Sequence, residues 1–318
     1  MRIAFFGATE LGWACCRALI EAGQELVGVV SLGRNFRISW SPGEVTNVRH
    51  RSFEDIAAEQ GVPLLDWEEV PRRALKERLI ELRPELLVVA GWYHLLPTSL
   101  RGVARLGAVG VHASLLPRYR GGAPLVWAVI RGETRTGVSL FQLTDGVDDG
   151  DLLGQVELDI GPEEEISSLV ARSTAAAVQL MRERVPLLGT PALVPVPQDP
   201  SLATCVPQRR PEDGLLDWTA LTERSAHDWV RAQTRPYPGA FTRVRAERLT
   251  IWRARRGASS APEGLVAGQV IVEPDRLGVV CADGGVLLLV EVELQGGAPG
   301  AGHELARALG LATGERLG

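Results

Sequence analysis

The residue types that can do chemistry are concentrated between Gly110 and Asp151. The stretch opens Gly110-Val111-His112-Ala113-Ser114-Leu115-Leu116-Pro117-Arg118-Tyr119-Arg120-Gly121-Gly122 and closes Asp145-Gly146-Val147-Asp148-Asp149-Gly150-Asp151. A histidine stands at the end of a strand-like run, a proline-containing loop follows it, and a glycine-punctuated acidic turn comes later. A histidine and a carboxylate on adjacent strand ends are the minimum for general acid–base catalysis, because one group moves a proton while the other orients it. On spacing alone, a lone histidine and a solvated acidic turn are the commoner occurrence, and both readings stay open. Two other features invite chemistry and do not support it. The turn Gly7-Ala8-Thr9-Glu10-Leu11-Gly12 lacks the middle glycine of a dinucleotide fingerprint, and no Lys-Ser or Lys-Thr follows it, so it reads as a plain strand-to-helix connection. The four cysteines, Cys15, Cys16, Cys205 and Cys281, have no paired spacing and read as small buried apolar residues, so no metal is expected.

The elements that must position these residues alternate strand and helix. Ile3 to Phe6 is a buried strand, a helix follows to about Ala22, and Leu26 to Ser31 is a second strand. Residues 33–51 are polar, contain Pro42 and Gly43, and read as an exposed excursion. Helices are expected over residues 52–60 and 71–82, a central strand over Leu86 to Ala90, and a long helix over residues 163–188. Fully apolar strands separated by helices imply a parallel sheet covered on both faces, with its ligand at the carboxyl ends of the strands. A proline-rich connection from Gly189 to Pro207 then leads into a different pattern. One helix near residues 222–234 precedes β-like runs at residues 249–252, 266–272, 277–281 and 286–294, and a last helix spans about 304–309. Short strands with glycine-rich turns suggest a small barrel. The expected organisation is a catalytic domain over 1–200, a linker over 201–210, and a C-terminal domain over 211–318.

Bulk composition narrows the partners. The net charge is −5, and from Arg209 onward 14 arginines balance 14 acidic residues, so the first 208 residues carry the whole excess. Phosphate backbones are gripped by clustered Lys and Arg, and on this count a nucleic-acid partner is unlikely. Lys76 is the one lysine. No apolar run approaches the roughly 20 residues of a membrane helix, and the start of the chain lacks the pattern of a signal peptide. A cytoplasmic location is expected, and the oligomeric state is not legible.

The order His112-x-Ser114-Leu115-Leu116-Pro117-x-Tyr119-Arg120-Gly121, then Glu133-Thr134-x-Thr136-Gly137-Val138, then Asp148-x-Gly150 resembles the signature of the 10-formyltetrahydrofolate-dependent formyltransferases. That family includes enzymes acting on methionyl-tRNA, on glycinamide ribonucleotide and on sugar nucleotides, and the likeness leans toward those that formylate UDP-4-amino-4-deoxy-L-arabinose. It covers nearly the whole chain. Phe5-Phe6-Gly7 opens it and Gly91-Trp92-Tyr93-His94-Leu95-Leu96-Pro97 resembles the loop on the pterin side. Arg210-Pro211-Glu212-Asp213, Asp217-Trp218 and Arg235-Pro236-Tyr237-Pro238-Gly239 resemble the C-terminal, OB-like domain. The resemblance implies a Rossmann-like α/β sheet followed by an OB-like β-barrel.

The resemblance also implies that His112 and Asp148 are catalytic. The substrate amine would attack a formyl carbon carried on the folate, and the imidazolium, with an asparagine amide, would stabilise the oxyanion while the aspartate holds the histidine. Tyr93, His94, Leu95 and Leu96, with Val147 and Gly150, would read the pterin, and Ser114, Leu115, Leu116 and Pro117 would shape the cleft wall. Arg118 and Arg120 are candidates for an acceptor phosphate. The expected co-substrate is 10-formyltetrahydrofolate, without a metal. The expected acceptor is a small-molecule amine such as an amino-sugar nucleotide, with methionyl-tRNA as the alternative, and residues 34–51 are a candidate acceptor-side loop. One residue departs from the family: Gly110 stands where the catalytic asparagine belongs. That leaves open formyl transfer with a substitute donor, use of another one-carbon donor, or ligand binding without efficient turnover.

Overall fold

The structure is a computed structural model that describes residues 1–38, 41–257 and 260–318. The chain begins with β1 (Arg2–Phe6), α1 (Glu10–Glu21), β2 (Glu25–Ser31), β3 (Asn35–Phe36), β4 (Val45–Thr46) and α2 (Glu54–Gln60). It continues with β5 (Leu64–Asp66), α3 (Arg72–Leu82), β6 (Leu86–Val89), α4 (Thr98–Arg101), β7 (Ala108–His112) and β8 (Arg120–Gly121). Then come α5 (Pro124–Ile130), β9 (Arg135–Gln142), β10 (Leu152–Asp159), α6 (Ile166–Arg184) and β11 (Cys205–Val206). The described residues group into two compact units. One comprises Met1–Pro124, Thr136–Asp159 and Ala171–Val206; the other comprises Leu125–Arg135, Ile160–Val170 and Pro207–Gly318.

The first unit is built on a seven-stranded sheet in the order β10-β9-β7-β6-β1-β2-β5. The pairs β2–β5, β1–β2, β1–β6 and β6–β7 are parallel. Alternate residues of a strand point to opposite faces, so β1 feeds two cores. Ile3 and Phe5 pack with Cys15, Cys16 and Leu19 of α1 and with Ala177, Leu180 and Met181 of α6, whereas Ala4 and Phe6 pack with Leu75 and Leu79 of α3. Both faces are covered, as the fully apolar strands imply. Burial pushes the Cys16 thiol up to about 12. Cys205 is exposed, unlike the other three cysteines and contrary to the sequence expectation.

Two local differences matter. β9 runs antiparallel to β7, placing Ser139 opposite His112; sheets of this size often carry an antiparallel edge. Residues 33–51 are not a simple exposed excursion. β3 and β4 form a hairpin, Phe36 and Asn47 are buried, and the Asn47 side-chain amide donates to the Ala8 carbonyl at 2.8 Å. Scattered polar residues hid these two anchors. Ser39 and Trp40, within the candidate acceptor-side loop, lie outside the described residues.

The second unit adds α7 (Glu223–Arg231), β12 (Ala240–Val244), β13 (Glu247–Arg256), β14 (Val270–Val272) and β15 (Leu277–Val280). β16 (Val286–Leu294), β17 (Gly300–Ala301) and α8 (Gly302–Leu309) complete it. Its strands form an antiparallel half-barrel, β12-β13-β16-β15-β14, with β17 on β16. Leu249, Ile251, Leu287, Leu289 and Val292 close its core with Ala226 and Val230 of α7.

Candidate active site

Because β1, β6 and β7 are parallel neighbours, the segments leaving their carboxyl ends gather at one edge of the sheet. These are the turn after Phe6, the loop from Gly91 to Pro97, and the loop from Ala113 to Pro117. Thr9 caps α1, accepting from the Gly12 N–H, and a Cβ on Gly12 would lie 2.4 Å from the Ala90 carbonyl oxygen. The glycines of this turn therefore let a helix start pack against a strand end, and no phosphate need be invoked.

His112 closes β7 and is buried. Its Nε2 lies 2.7 Å from the Tyr119 carbonyl oxygen, and its Nδ1 lies 3.5 Å from Asp148 Oδ2. Both neighbours are acceptors, so both contacts are satisfied when each ring nitrogen carries a hydrogen. Asp148 arrives from the turn between β9 and β10, where the glycine-punctuated acidic pattern is found. Its φ is 52°, in the left-handed region that non-glycine residues seldom occupy, and its Oδ2 accepts the Gly121 N–H at 2.9 Å.

The loop after His112 is rigid for stated reasons. Ser114 Oγ donates to the Arg118 carbonyl at 2.7 Å, and Ser139 Oγ donates to the Ser114 carbonyl at 2.6 Å. The Leu116 N–H donates to Ser139 Oγ, and the Gln155 amide reaches both the Leu116 carbonyl and Ser139 Oγ. Ser114 and Leu116 are buried, Leu115 and Pro117 half-buried. Ser139 and Gln155 were not singled out by sequence reasoning; no motif marks them.

The acidic turn is pinned at both ends. At one end the buried Arg101 guanidinium reaches the Leu143 carbonyl at 2.9 Å and the Asp145 carboxylate. Asp145 is held below the usual carboxylate range by hydrogen bonds from Thr98 and Arg101. At the other end Gly150 is so close to β9 that a Cβ would sit 1.9 Å from the Gln142 carbonyl oxygen. Backbone cannot give way there as a side chain can, so Gly150→Ala is expected to cost about 3 kcal/mol or more and to displace Asp148. A thermal melt near that of the parent protein would refute this account of the turn. Val147 is exposed.

The loop after β6 presents aromatic groups. The His94 ring packs against Phe36, Trp67 and Trp92. Burial, then the nearby Arg72 guanidinium, lower the His94 pKa. Tyr93 packs tilted against Phe36 and donates through its hydroxyl to Asn47 at 3.0 Å, Leu96 is buried, and Leu95 is exposed. Trp92 Nε1 and His94 Nε2 are buried with no hydrogen-bond partner among the described residues. Orphaned buried polar atoms of this kind call for a ligand or water, because leaving them unpaired costs about 1–3 kcal/mol each.

The two arginines differ. Arg120 is committed within the fold, its Nε and Nη2 donating to Gln198 Oε1 at 3.2 and 2.7 Å. Arg118 is exposed, with its guanidinium carbon 5.7 Å from the Tyr119 ring centre. Gly110 lies two residues before His112 on the same face of β7. A Cβ there would meet Leu143 Cδ2 at 2.8 Å and Phe141 Cε1 at 3.3 Å. The space that an amide would occupy is therefore filled by Leu143.

The formyl transferase family profile matches residues 1–185, and the profile of the formyl transferase C-terminal domain matches residues 209–310. This chain belongs to the formyltransferase family. It is accordingly a folate-dependent one-carbon transferase, as the His112 to Gly150 signature implies. A curated relative, methionyl-tRNA formyltransferase of Anaeromyxobacter dehalogenans, is 38% identical over 310 residues, 97% of this chain and 97% of its own. HypX from Aquifex aeolicus with tetrahydrofolic acid superposes with a TM-score of 0.62 at 17% identity over 98% of this chain. The match spans about half, 47%, of the HypX chain. The N-formyltransferase of Helicobacter canadensis, in complex with folinic acid and dTDP-3-aminofucose, gives a TM-score of 0.64 at 13% identity. That match covers 90% of this chain and 98% of its own. At these identities the two structures speak to the fold. Among the described residues no helix is long and apolar enough to cross a membrane.

The relatives overturn one expectation. A nucleic-acid partner was judged unlikely from net charge, yet relatives 34–38% identical over nearly the whole chain are methionyl-tRNA formyltransferases. The physical reason is that net charge averages a surface while phosphates meet only part of it. The balanced C-terminal count conceals the β12–β13 hairpin, where residues 243–256 hold six arginines, Arg243, Arg245, Arg248, Arg253, Arg255 and Arg256, against a single acid, Glu247. Five of the six are exposed, Arg248 being half-buried.

Proposed function

We propose that this chain transfers the formyl group of 10-formyltetrahydrofolate to the amine of methionyl-tRNA, with His112 and Asp148 as its catalytic pair. The observation that carries the acceptor is the near-full-length likeness to a methionyl-tRNA formyltransferase. The pairing of His112 with Asp148 across 3.5 Å supports the catalytic assignment, since catalytic hydrogen bonds are often long before substrate binds.

The donor brings a formyl carbon on N10, and attack by the amine forms the new C–N bond and a tetrahedral oxyanion. Its collapse breaks the C–N10 bond and releases tetrahydrofolate, N10 gaining a proton as the amine loses one. Trp92 and His94, with buried unpartnered nitrogens, suit the polar edge of a pterin, and the backbone of Tyr93 to Leu96 and Val147 to Gly150 would line it. His112 is the group that answers the negative charge developing on the formyl oxygen. The Tyr119 carbonyl fixes the plane of its ring, and Asp148 stabilises its charged form and helps remove the proton released by the amine. The buried loop from Ser114 to Pro117 keeps water from the ring.

The test is mass spectrometry of the purified protein with 10-formyltetrahydrofolate and charged methionyl-tRNA, beside free methionine and amino-sugar nucleotides. Formyl mass gained on methionyl-tRNA alone is expected; a formylated amino-sugar nucleotide with unmodified tRNA would sink the proposal. The exposed arginines of the β12–β13 hairpin give a second check. Arg243→Glu and Arg255→Glu are each expected to weaken tRNA binding and to lower the slope of log affinity against log salt by about 1. Unchanged slopes would take the hairpin out of the contact.

A further inference from the structure

We infer that Gln198 is a positioning residue for Asp148, acting through a relay from Arg120; this rests on Asp148 being catalytic. The Gln198 side chain uses both ends of its amide. Its Nε2 donates to the Asp148 carbonyl at 2.9 Å and to the Gly150 carbonyl at 2.7 Å, while its Oε1 accepts the Arg120 Nε and Nη2 at 3.2 and 2.7 Å. Arg120 is itself anchored, its main-chain N–H donating to the Thr204 carbonyl at 2.8 Å.

The arrangement has a clear task. Asp148 sits at a positive φ, a conformation that costs about 1 kcal/mol for a non-glycine residue and persists only where its surroundings hold it. Its carboxylate must meet both the Gly121 N–H and His112 Nδ1. The two N–H groups of Gln198 grip the carbonyls on either side of Asp149 and so fix the peptide from which the Asp148 side chain leaves. The guanidinium fork of Arg120 orients the amide, because only Oε1 can face it and Nε2 must then face the turn. The same arginine connects the relay to the chain between His112 and Gly121.

Substitutions separate the parts. Gln198→Ala removes the whole bridge. Gln198→Glu retains an acceptor for Arg120 and removes both donors, setting carboxylate oxygen against two carbonyls. Each is expected to lower kcat for formyl transfer by about 10- to 100-fold, the cost of a misplacement near 1 Å, with little change in KM for either substrate. In an Asp148→Asn background the same Gln198→Ala change is expected to cost about threefold or less, because residues acting as a unit are not additive. A kcat within about twofold of the parent for both Gln198 variants overturns the inference. So does an equal loss in the Asp148→Asn background, which would mark Gln198 as merely structural. If Asp148→Asn alone is harmless while Gln198→Ala is not, the failure belongs to the assignment of Asp148, and the positioning role falls with it.

Discussion

Replacing His112 by alanine is expected to lower kcat for formyl transfer by about 10²–10⁴-fold, the range of a positioned acid or base, while the protein keeps its fold. The ring nitrogens meet the Tyr119 carbonyl and Asp148, so alanine removes the group that would answer negative charge and leaves Asp148, among the described residues, with the Gly121 N–H alone. Asp148→Asn is expected to fall in the same range, since an amide is a neutral partner that cannot stabilise a positive imidazolium. The pair should not add: once either is lost, the other has no charge to exchange, and the double variant should resemble the worse single one. Single-turnover kinetics with a thermal melt alongside read this directly. Near-parental turnover in His112→Ala would remove this pair from the chemistry.

The second large effect is a gain. Gly110→Asn is expected to raise turnover at least about tenfold, because a single oxyanion-hole donor is typically worth about 10²–10³-fold in rate and residue 110 shares a face of β7 with His112. The obstacle is Leu143, whose Cδ2 would lie 2.8 Å from the new Cβ. That contact is with the far end of a flexible side chain, so Leu143 can turn aside at a cost of about 1–3 kcal/mol. Adding Leu143→Ala makes room and should restore any turnover that crowding withholds. If neither the single nor the double variant exceeds the parent, an amide is not what this site lacks, and a donor other than residue 110 already serves the oxyanion.

The expected acceptor changed for a reason that lies in the charge pattern. The sum from Arg209 onward is neutral, and it argued for a small amine. Of the six arginines from Arg243 to Arg256, five fall on β12 and β13 and Arg245 on the turn between them; Arg245, Arg253 and Arg256 pair with Glu315, Glu165 and Glu223. A count over a domain does not show where arginines cluster locally, and a phosphate backbone responds to the local cluster.

The sequence by itself determined the family and most of the element types, and the family's motif supplied the pair His112 and Asp148 that is proposed as catalytic. These follow from features that are local in the chain: apolar runs that must be buried strands, helical periodicity, and an ordered motif whose residues are near neighbours. The departure at Gly110 was equally plain. Tertiary structure alone decided that β9 runs antiparallel to β7, that Leu143 fills the space beside Gly110, that Phe36 and Asn47 anchor a polar segment, and that Gln198 grips the acidic turn. Gln198 is 50 residues from Asp148 and 78 from Arg120, and Ser139 is 25 from Ser114. A hydrogen bond across such separations leaves no local trace, because it depends on where two strands and a distant loop are brought together by the packing of the sheet.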